Sequence, residues 1–119
     1  MINFFITEFN FNKSGTKPVS LTEFRKSHSF ADSWAHAVKV VRGDIEAVKQ
    51  CQAIIAYIDD YIGSGTISEC TLAKALNKPI YAILDPQYNI DNLHPWMLGC
   101  VSRFFHSVND FRNFVTDIQ

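Results

Sequence analysis

The segment Ala53–Asp85 constrains the fold of this chain more than any other part of the sequence. It opens with a nearly unbroken apolar run that ends in Asp59 and Asp60. A glycine-rich turn and an alanine-containing helical pattern follow, and a second apolar run covers Pro79–Leu84. Apolar runs without alternation are typical of parallel strands that are covered on both faces. The segment therefore predicts a β-strand, an α-helix and a second β-strand joined as one parallel unit.

Further elements are predicted on both sides of this unit. Asn3–Thr7 has the composition of a first strand, and Val101–His106 has that of a last strand. Trp96–Cys100 is long enough for one helical turn. Ser107-Val-Asn-Asp110 has the form of a capping box and indicates a terminal helix after it. Together these patterns predict an α/β fold, Rossmann-like or flavodoxin-like, with a mainly parallel central sheet flanked by helices.

A helix over Ala31–Arg42 is predicted from apolar residues that recur on one helical face. Trp34 belongs to this stripe, and we interpret it as an anchor in the core because large aromatic side chains are mostly buried. Two continuations are open after this helix. Asp44 caps a second short helix, or the first helix continues with a bend at Gly43. The stripe consists of Phe30, Trp34, Ala37, Val38 and Val41.

The length and the charge of the chain bound its class. A chain of 119 residues is long enough for one hydrophobic core, so we expect a single domain over residues 1–119. The formal net charge is -1 and no basic run occurs, which argues against a nucleic-acid polymer as the partner. No run approaches the roughly 20 apolar residues of a membrane span, so no membrane association is expected.

Cysteine and histidine usage indicates neither a disulfide framework nor a metal site. The 3 cysteines lack Cys-x-x-Cys spacing, and the 4 histidines are scattered along the chain. We therefore expect no metal and no cofactor. A reducing cytosol is the natural setting for such a chain, so we expect a cytoplasmic location.

The carboxyl end of the first strand in the central unit carries the residues best placed for chemistry. Ligands of open parallel sheets sit beyond the carboxyl ends of the strands, where Asp59 and Asp60 are expected. Gly63 and Gly65 allow a tight turn and a close approach of the backbone to a ligand. Thr66 is predicted to be the N-cap of the following helix. The free N–H groups of such a helix end bind a phosphate or a sugar hydroxyl.

Glu69 has two interpretations from the residues alone. In a capping box that starts at Thr66, the glutamate folds back onto the N–H group of the cap residue. The helical spacing instead places Glu69 on the same face as Leu72 and Ala73, which must cover the sheet. A partly desolvated carboxylate in that position has a raised basicity and serves as a nucleophile or a general base. The two roles are not exclusive.

These motifs resemble the nucleoside 2-deoxyribosyltransferase family, which includes related N-glycosidases of deoxynucleoside monophosphates. The family pattern is an apolar strand ending in Asp, a loop, Asp-Ser-Gly-Thr-x-x-Glu at a helix start, and Gly-Lys-Pro before another strand. The matching positions here are Ala56–Asp59, Ser64–Thr66, Glu69 and Ala73–Pro79. The resemblance extends over roughly a third of the chain, from Asp44 to Leu84.

The resemblance implies an enzyme that cleaves the N-glycosidic bond of a small nucleoside or nucleotide. Glu69 would be the nucleophile that attacks the anomeric carbon of the sugar. Asp59 would lie near the departing base and supply or relay the proton that the base needs. The 5′ end of the sugar would be held by Ser64, Gly65 and Thr66.

One departure from the family pattern bears on the acceptor of the reaction. Gly63 stands where the transferases have Asp, whereas the monophosphate hydrolases use small or hydroxyl residues in this loop to accept phosphate. Gly63 and Ser64 therefore favour hydrolysis of a nucleoside monophosphate. The match at Asp59 keeps base exchange open as the alternative.

Further alternatives concern the first loop and the activity itself. Phe9 or Phe11 stacks on the base, or packs beneath the loop as a buried aromatic side chain. The short chain and the altered first loop also fit a nucleotide-binding module that retains the pocket without turnover. Cytokinin-activating phosphoribohydrolases share Gly-Thr-x-x-Glu, but their Pro-Gly-Gly approach and upstream arginine are not found here. The resemblance further implies a homo-oligomer, either a dimer or a larger assembly.

Overall fold

Parallel strands form one central sheet in the described part of the chain. A computed structural model describes residues 3–7, 26, 28–59 and 62–118. In their order across the sheet, the strands are β1 (Phe4–Thr7), β2 (Ala53–Ile58), β3 (Ile80–Leu84) and β4 (Arg103–Phe105). Each neighbouring pair is parallel, so the carboxyl ends of all these strands lie at one edge. The predicted fold class, α/β with a parallel sheet flanked by helices, is confirmed.

Helices connect and cover these strands. They are α1 (Phe30–Gln50), α2 (Ser64–Ala75), α3 (Pro95–Cys100) and α4 (Val108–Ile118), with a short 3-10 turn, Ile90–Asn92, before α3. Helix α1 packs on α2, and α2 packs on α3, so these helices form one layer over one face of the sheet. Helix α4 covers the opposite face.

The face of the sheet beneath α1, α2 and α3 carries the larger core. Strand alternation turns Ile54, Ala56 and Ile58 of β2 toward this helical layer. They belong to the same buried cluster as Cys70 and Ala73 of α2. Because the α2 residues in this cluster are small, the helix lies close to the sheet, and its first turns are held near the carboxyl edge.

An aromatic cluster fills the opposite face beneath α4. Phe111 and Phe114 of α4 contact Tyr81 of β3, with ring centroids 6.0 and 5.2 Å apart. The same two rings contact Phe105 of β4 at 5.2 and 5.1 Å. Edge-to-face and tilted contacts of this kind add to the free energy gained by burial. The cluster therefore anchors α4 on the sheet.

Most of the predicted elements are confirmed with shifted boundaries. The strands predicted over Asn3–Thr7, Pro79–Leu84 and Val101–His106 are present as β1, β3 and β4, each somewhat shorter than predicted. The predicted helical turn before the last strand is α3. The N-cap predicted at Ser107 is confirmed, because the N–H group of Asp110 donates to Oγ of Ser107 at 3.0 Å.

Helix α1 differs from its prediction in length and in orientation. It continues without interruption past Gly43 to Gln50, so the prediction of a second helix capped by Asp44 is wrong. Trp34 is 65% exposed, and its prediction as a core anchor is also wrong. The buried side of α1 includes Ser33 and Val48. Trp34 lies about 100° of helical rotation from Ser33, which turns the apolar stripe away from the sheet.

Candidate active site

Glu69 of α2 is held by a hydroxyl group from the end of β1. The Oγ1 hydroxyl of Thr7 donates a hydrogen bond to Oε1 of Glu69. Thr7 is only 1% exposed. Alternation along β1 points Thr7, like Phe5, toward the layer formed by α1, α2 and α3. The contact therefore places the half-buried Glu69 carboxylate beside the carboxyl edge of the sheet.

The start of α2 decides between the two interpretations of Glu69. Helix α2 begins at Ser64, its N-cap is Gly63, and that cap makes no side-chain hydrogen bond. Thr66 lies inside the first turn, so the prediction that Thr66 is the N-cap is wrong. The extended backbone of Gly63, with φ -74° and ψ 160°, suits a cap and starts the helix earlier than predicted. A capping box from Thr66 to Glu69 is therefore also wrong, and Glu69 pairs with Thr7.

A groove of about 410 Å³ lies between α1 and the first half of α2. Its volume is in the range of sites that bind small molecules. Val41 and Ile45 of α1 contribute to an apolar wall, and Ser64 and Glu69 of α2 contribute to a polar wall. The groove therefore suits a ligand with one apolar and one polar side. The described lining residues are Val40, Val41, Asp44, Ile45, Val48, Ser64, Gly65, Ser68, Glu69 and Leu72.

The amino end of α2 carries N–H groups that the helix itself cannot pair. The N–H of Ile67 makes the first turn's bond to the carbonyl of Gly63 at 3.3 Å. The N–H groups of Ser64, Gly65 and Thr66 precede it, so they have no carbonyl partner within the helix. The space where a Cβ of Gly65 would lie is empty to 4 Å, which leaves room for a ligand beside the backbone. Helix ends of this kind bind phosphates.

Thr66 adds a buried hydroxyl beneath this helix end. Thr66 is 4% exposed, and its Oγ1 atom has no hydrogen-bond partner among the described residues. Leaving a buried hydroxyl unpaired costs about 1–3 kcal/mol. Such a group is commonly satisfied by a water molecule or a bound ligand.

Cys70 follows Glu69 on the inner side of α2. Burial, and then the nearby Cys100 and Glu69, raise the pKa of the Cys70 thiol to about 12. The thiol is therefore protonated at neutral pH and is a poor nucleophile. Of these two neighbouring residues, Glu69 is the candidate nucleophile.

Asp59 belongs to a second acidic cluster at the carboxyl edge of the sheet. The hydroxyl of Tyr57 donates a hydrogen bond to Oδ2 of Asp85 at 2.8 Å. This bond, then desolvation, then the charges of Asp85 and Asp59 raise the pKa of Tyr57 to about 12. Tyr57 packs on the α4 side of the sheet, opposite the helical layer that contains Glu69. Asp59 is not among the lining residues of the groove.

The structure brings together only part of the predicted site. Among the predicted residues, Ser64, Gly65 and Glu69 line the groove. Gly63 and Thr66 adjoin them at the start of α2. Asp59 lies after the end of β2 and outside the groove lining. The predicted residues Asp60, Phe9 and Phe11 fall outside the described residues.

Several polar groups around Glu69 are not among the site residues predicted from the sequence. One feature of the sequence could have indicated Thr7 as a site residue: it is the polar residue that ends an apolar strand, at the carboxyl edge of the sheet. Asp44 was interpreted as a helix cap, whereas it lines the groove. Ser68 lines the groove as well, and its Oγ hydroxyl donates to the carbonyl of Ser64 at 2.8 Å.

Among residues 3–7, 26, 28–59 and 62–118, no group of three or more His, Cys, Asp and Glu side chains is arranged to hold a metal ion. Over the same residues, no helix combines the length and the apolar character needed to cross a membrane.

Comparison with known proteins gives a likeness in structure. The CMP N-glycosidase BcmB of Clostridium botulinum superimposes with a TM-score of 0.55 at 20% sequence identity. The superposition covers 68% of this chain and 74% of that protein. No protein-family model matches the chain, and no curated protein matches it. At this level of identity the likeness shows a shared α/β fold.

Proposed function

We propose that this protein cleaves the N-glycosidic bond of a small nucleoside or nucleoside monophosphate, with Glu69 as the nucleophile. The hydrogen bond from Thr7 carries this proposal, because it holds the Glu69 carboxylate in a groove and not at its own helix end. The fold shared with a CMP N-glycosidase supports the same class of reaction. The proposal covers both ribose and deoxyribose as the sugar.

The proposed reaction has two steps. A carboxylate oxygen of Glu69 attacks the anomeric carbon, the bond to the base nitrogen breaks, and its electron pair leaves with the base. The base takes up one proton, and an ester joins Glu69 to the sugar. Water then attacks the anomeric carbon, loses a proton, and releases the Glu69 carboxylate and a free sugar. When a second base attacks in place of water, base exchange results.

Thr7 acts in this proposal as a positioning residue. Its hydroxyl donates to one oxygen of Glu69 and so limits the rotation of the carboxylate. A nucleophile that is already held in a reactive orientation loses less conformational entropy when the transition state forms, and this lowers the activation free energy. The buried position of Thr7 at the end of a strand makes this support rigid.

The amino end of α2 is the proposed site for the 5′ end of the sugar or its phosphate. The open N–H groups of Ser64, Gly65 and Thr66 attract an anion, and the empty space beside Gly65 admits it. The hydroxyl of Thr66, which has no hydrogen-bond partner in the described part of the chain, supplies a further polar group at this end. Together with Gly63 at the cap, these residues favour hydrolysis of a nucleoside monophosphate.

Other residues are proposed to contact the base. Asp59 supplies or relays a proton to the departing base, since a base anion is a poor leaving group. Thr7 pairs with Ala56 in the sheet, so Asp59 lies about 10 Å further along the strand direction. That distance suits a group that contacts the base of a substrate whose sugar lies at Glu69. Asp60, Phe9 and Phe11 are retained as proposed substrate contacts.

We further propose that the protein acts in the cytoplasm as a homo-oligomer and without a cofactor, as the resemblance of its motifs implies. The substrate is then a soluble metabolite and not a nucleic-acid polymer.

Base release from a panel of substrates tests the proposed function. The purified protein is incubated with ribo- and deoxyribonucleosides and their monophosphates, with and without a free acceptor base. Free and exchanged bases are then separated by chromatography. We expect base release from at least one monophosphate, and Glu69→Gln should lose it.

Glu46→Gln provides the matched control for this experiment. Glu46 is an exposed glutamate of α1 that is 3.9 Å from Lys49, and it does not line the groove that contains Glu69. We expect it to retain wild-type rates. Nucleotide binding without any base release from the wild-type protein would instead support the binding module without turnover. Equal rates for Glu69→Gln and wild type would refute the proposed nucleophile.

A further inference from the structure

Helix α1 presents a long apolar face to the surface, which we call the α1 face. Phe30 and Trp34 are 72% and 65% exposed, and their rings contact each other at 6.2 Å. Val38, Val41 and Ile45 continue the same stripe along the helix and are exposed as well. The α1 face consists of Phe30, Trp34, Ala37, Val38, Val41 and Ile45.

The α1 face is a continuous surface and not a scatter of single side chains. A groove of about 490 Å³ runs along it between Trp34 and Ile45, with Arg42 and Glu46 at its rim. From their exposed fractions, the apolar side chains present on the order of 500 Å² to the surface, which is as large as the largest patch on a typical monomer. The largest apolar patch on a monomer is often a functional surface, and association is one such function.

We propose that the α1 face is the interface through which two copies of this chain associate. Pairing two such faces buries on the order of 1,000 Å², the lower bound for a specific interface. The charges at the rim are of both signs, since Arg42 and Glu46 lie on the same side of the stripe. A balanced rim fits a second copy better than it fits a strongly charged partner.

Twofold symmetry gives the pairing a definite form. The same surface on both copies must be self-complementary, which an antiparallel pair of α1 helices satisfies. If the axis passes near Val38, position 34 of one helix lies opposite position 42 of the other. The guanidinium of Arg42 then stacks on the indole of Trp34 in the second copy, which is a favourable cation–π arrangement. In this arrangement the side chain of Trp34 is covered by the second copy and not by the hydrophobic core of its own chain.

The interface adjoins the groove that contains Glu69. Val41 and Ile45 line both the groove along the α1 face and the groove between α1 and α2. A second copy would therefore border the candidate active site and restrict its opening to water. This consequence concerns the proposed function, whereas the association itself depends only on the α1 face.

Sedimentation of the full chain over a range of concentrations tests the interface. We expect the wild type to sediment at twice the mass of one chain at micromolar concentrations. Val38→Glu introduces a charge at the centre of the interface, and symmetry introduces it twice. We expect its dimer to dissociate at least about 100-fold more readily.

Val108→Glu is the matched control. Val38 and Val108 are both valines of helices and are both 44% exposed, but Val108 lies on α4. We expect Val108→Glu to dimerise like the wild type. Circular dichroism of both variants establishes that each is folded. A wild type that remains monomeric, or a Val38→Glu variant that dimerises as tightly as the wild type, would overturn the proposal.

Tryptophan fluorescence provides a second measurement in a Trp96→Phe background, where Trp34 is the remaining tryptophan. Dilution should shift the emission of Trp34 to longer wavelength as the dimer separates, and Val38→Glu should show the shifted spectrum at all concentrations. Emission that does not change with concentration while sedimentation shows a dimer would place the interface elsewhere. Base release plays no part in either measurement, so failure of the proposed function leaves this test intact.

Discussion

Two carboxylates at the carboxyl edge of the sheet each accept a hydrogen bond from a hydroxyl group, but their surroundings differ. On one face of the sheet, Thr7 donates to Glu69. On the other face, Tyr57 donates to Asp85. The second oxygen of Asp85 accepts the N–H of Gln87 at 2.9 Å, so this carboxylate closes the turn that follows β3.

Glu69 differs from Asp85 because it also lines a groove. The groove has an apolar wall from α1, and at the start of α2 it meets N–H groups that the helix itself cannot pair. A carboxylate with one oxygen bound to its own turn and the other bound to a neighbouring strand stabilises local structure, whereas one beside a substrate-sized groove is placed for chemistry. The same kind of hydrogen bond therefore serves structure at Asp85 and, in our proposal, reactivity at Glu69.

The largest expected effect is a difference in kcat between variants of these two carboxylates. Glu69→Gln should lower kcat for base release by at least about 1,000-fold, because the amide is not a nucleophile. Asp85→Asn should lower kcat by less than about 5-fold and cost about 1 kcal/mol of unfolding free energy. Steady-state kinetics and urea unfolding of both variants measure this difference. Comparable losses of kcat in the two variants would remove the distinction between the carboxylates.

A smaller effect is expected at Asp59, which lies near the structural cluster but has a proposed chemical role. Asp59→Asn should lower kcat by about 100-fold, the usual contribution of a proton donor. The loss should shrink for substrates whose base is a better leaving group, because such a base needs less protonation. A uniform loss across leaving groups would show that Asp59 acts on structure alone.

Thr7 should have a more modest effect that appears in kcat and not in KM. Thr7→Val removes the hydroxyl that orients Glu69 and should lower kcat by about 10-fold with little change in KM. Thr7→Ser retains the hydroxyl and should recover most of the rate. If Thr7→Ser is as slow as Thr7→Val, the side chain acts through packing and not through its hydrogen bond.

The smallest expected effect concerns stability at high pH. The pKa of Tyr57 is raised to about 12 in the folded protein, above its ordinary value of 10.0. The contribution of Tyr57 to stability is therefore complete below pH 10 and is lost as the pH rises toward 12. Between these values, the unfolding free energy of the wild type should fall more steeply than that of Tyr57→Phe. Parallel declines in urea titrations would contradict the assignment of this bond to stability.

Much of the fold could be predicted from the sequence because apolar runs report burial on both faces of a strand. The runs that form β2 and β3 are nearly continuous, and the connecting helix has the small residues Cys70 and Ala73 where it meets the sheet. The orientation of α1 could not be predicted in this way. Periodicity identifies an apolar face on a helix, but it does not state whether that face meets the sheet, a second chain or solvent. Trp34 is the residue where this ambiguity led to a wrong prediction.

The site was predicted only where its residues lie close together in the sequence. Ser64, Gly65 and Glu69 belong to one local motif, and they line one groove. The contact between Thr7 and Glu69 joins residues that are 62 positions apart, so it depends on the packing of α2 against β1. The predicted N-cap of α2 is wrong because both glycine and threonine are compatible with an N-cap position. In the structure the N-cap is Gly63.

Trapping the ester between Glu69 and the sugar tests the central claim most directly. A 2′-fluoro nucleoside monophosphate slows both steps of the proposed reaction, and a base that leaves readily keeps the first step faster than the second, so the ester accumulates on the wild-type protein. Acid quenching and mass spectrometry of peptides then locate the label. We expect one sugar phosphate on the peptide that contains Glu69. Release of the base with the label on another residue, or with no labelled residue, would contradict it.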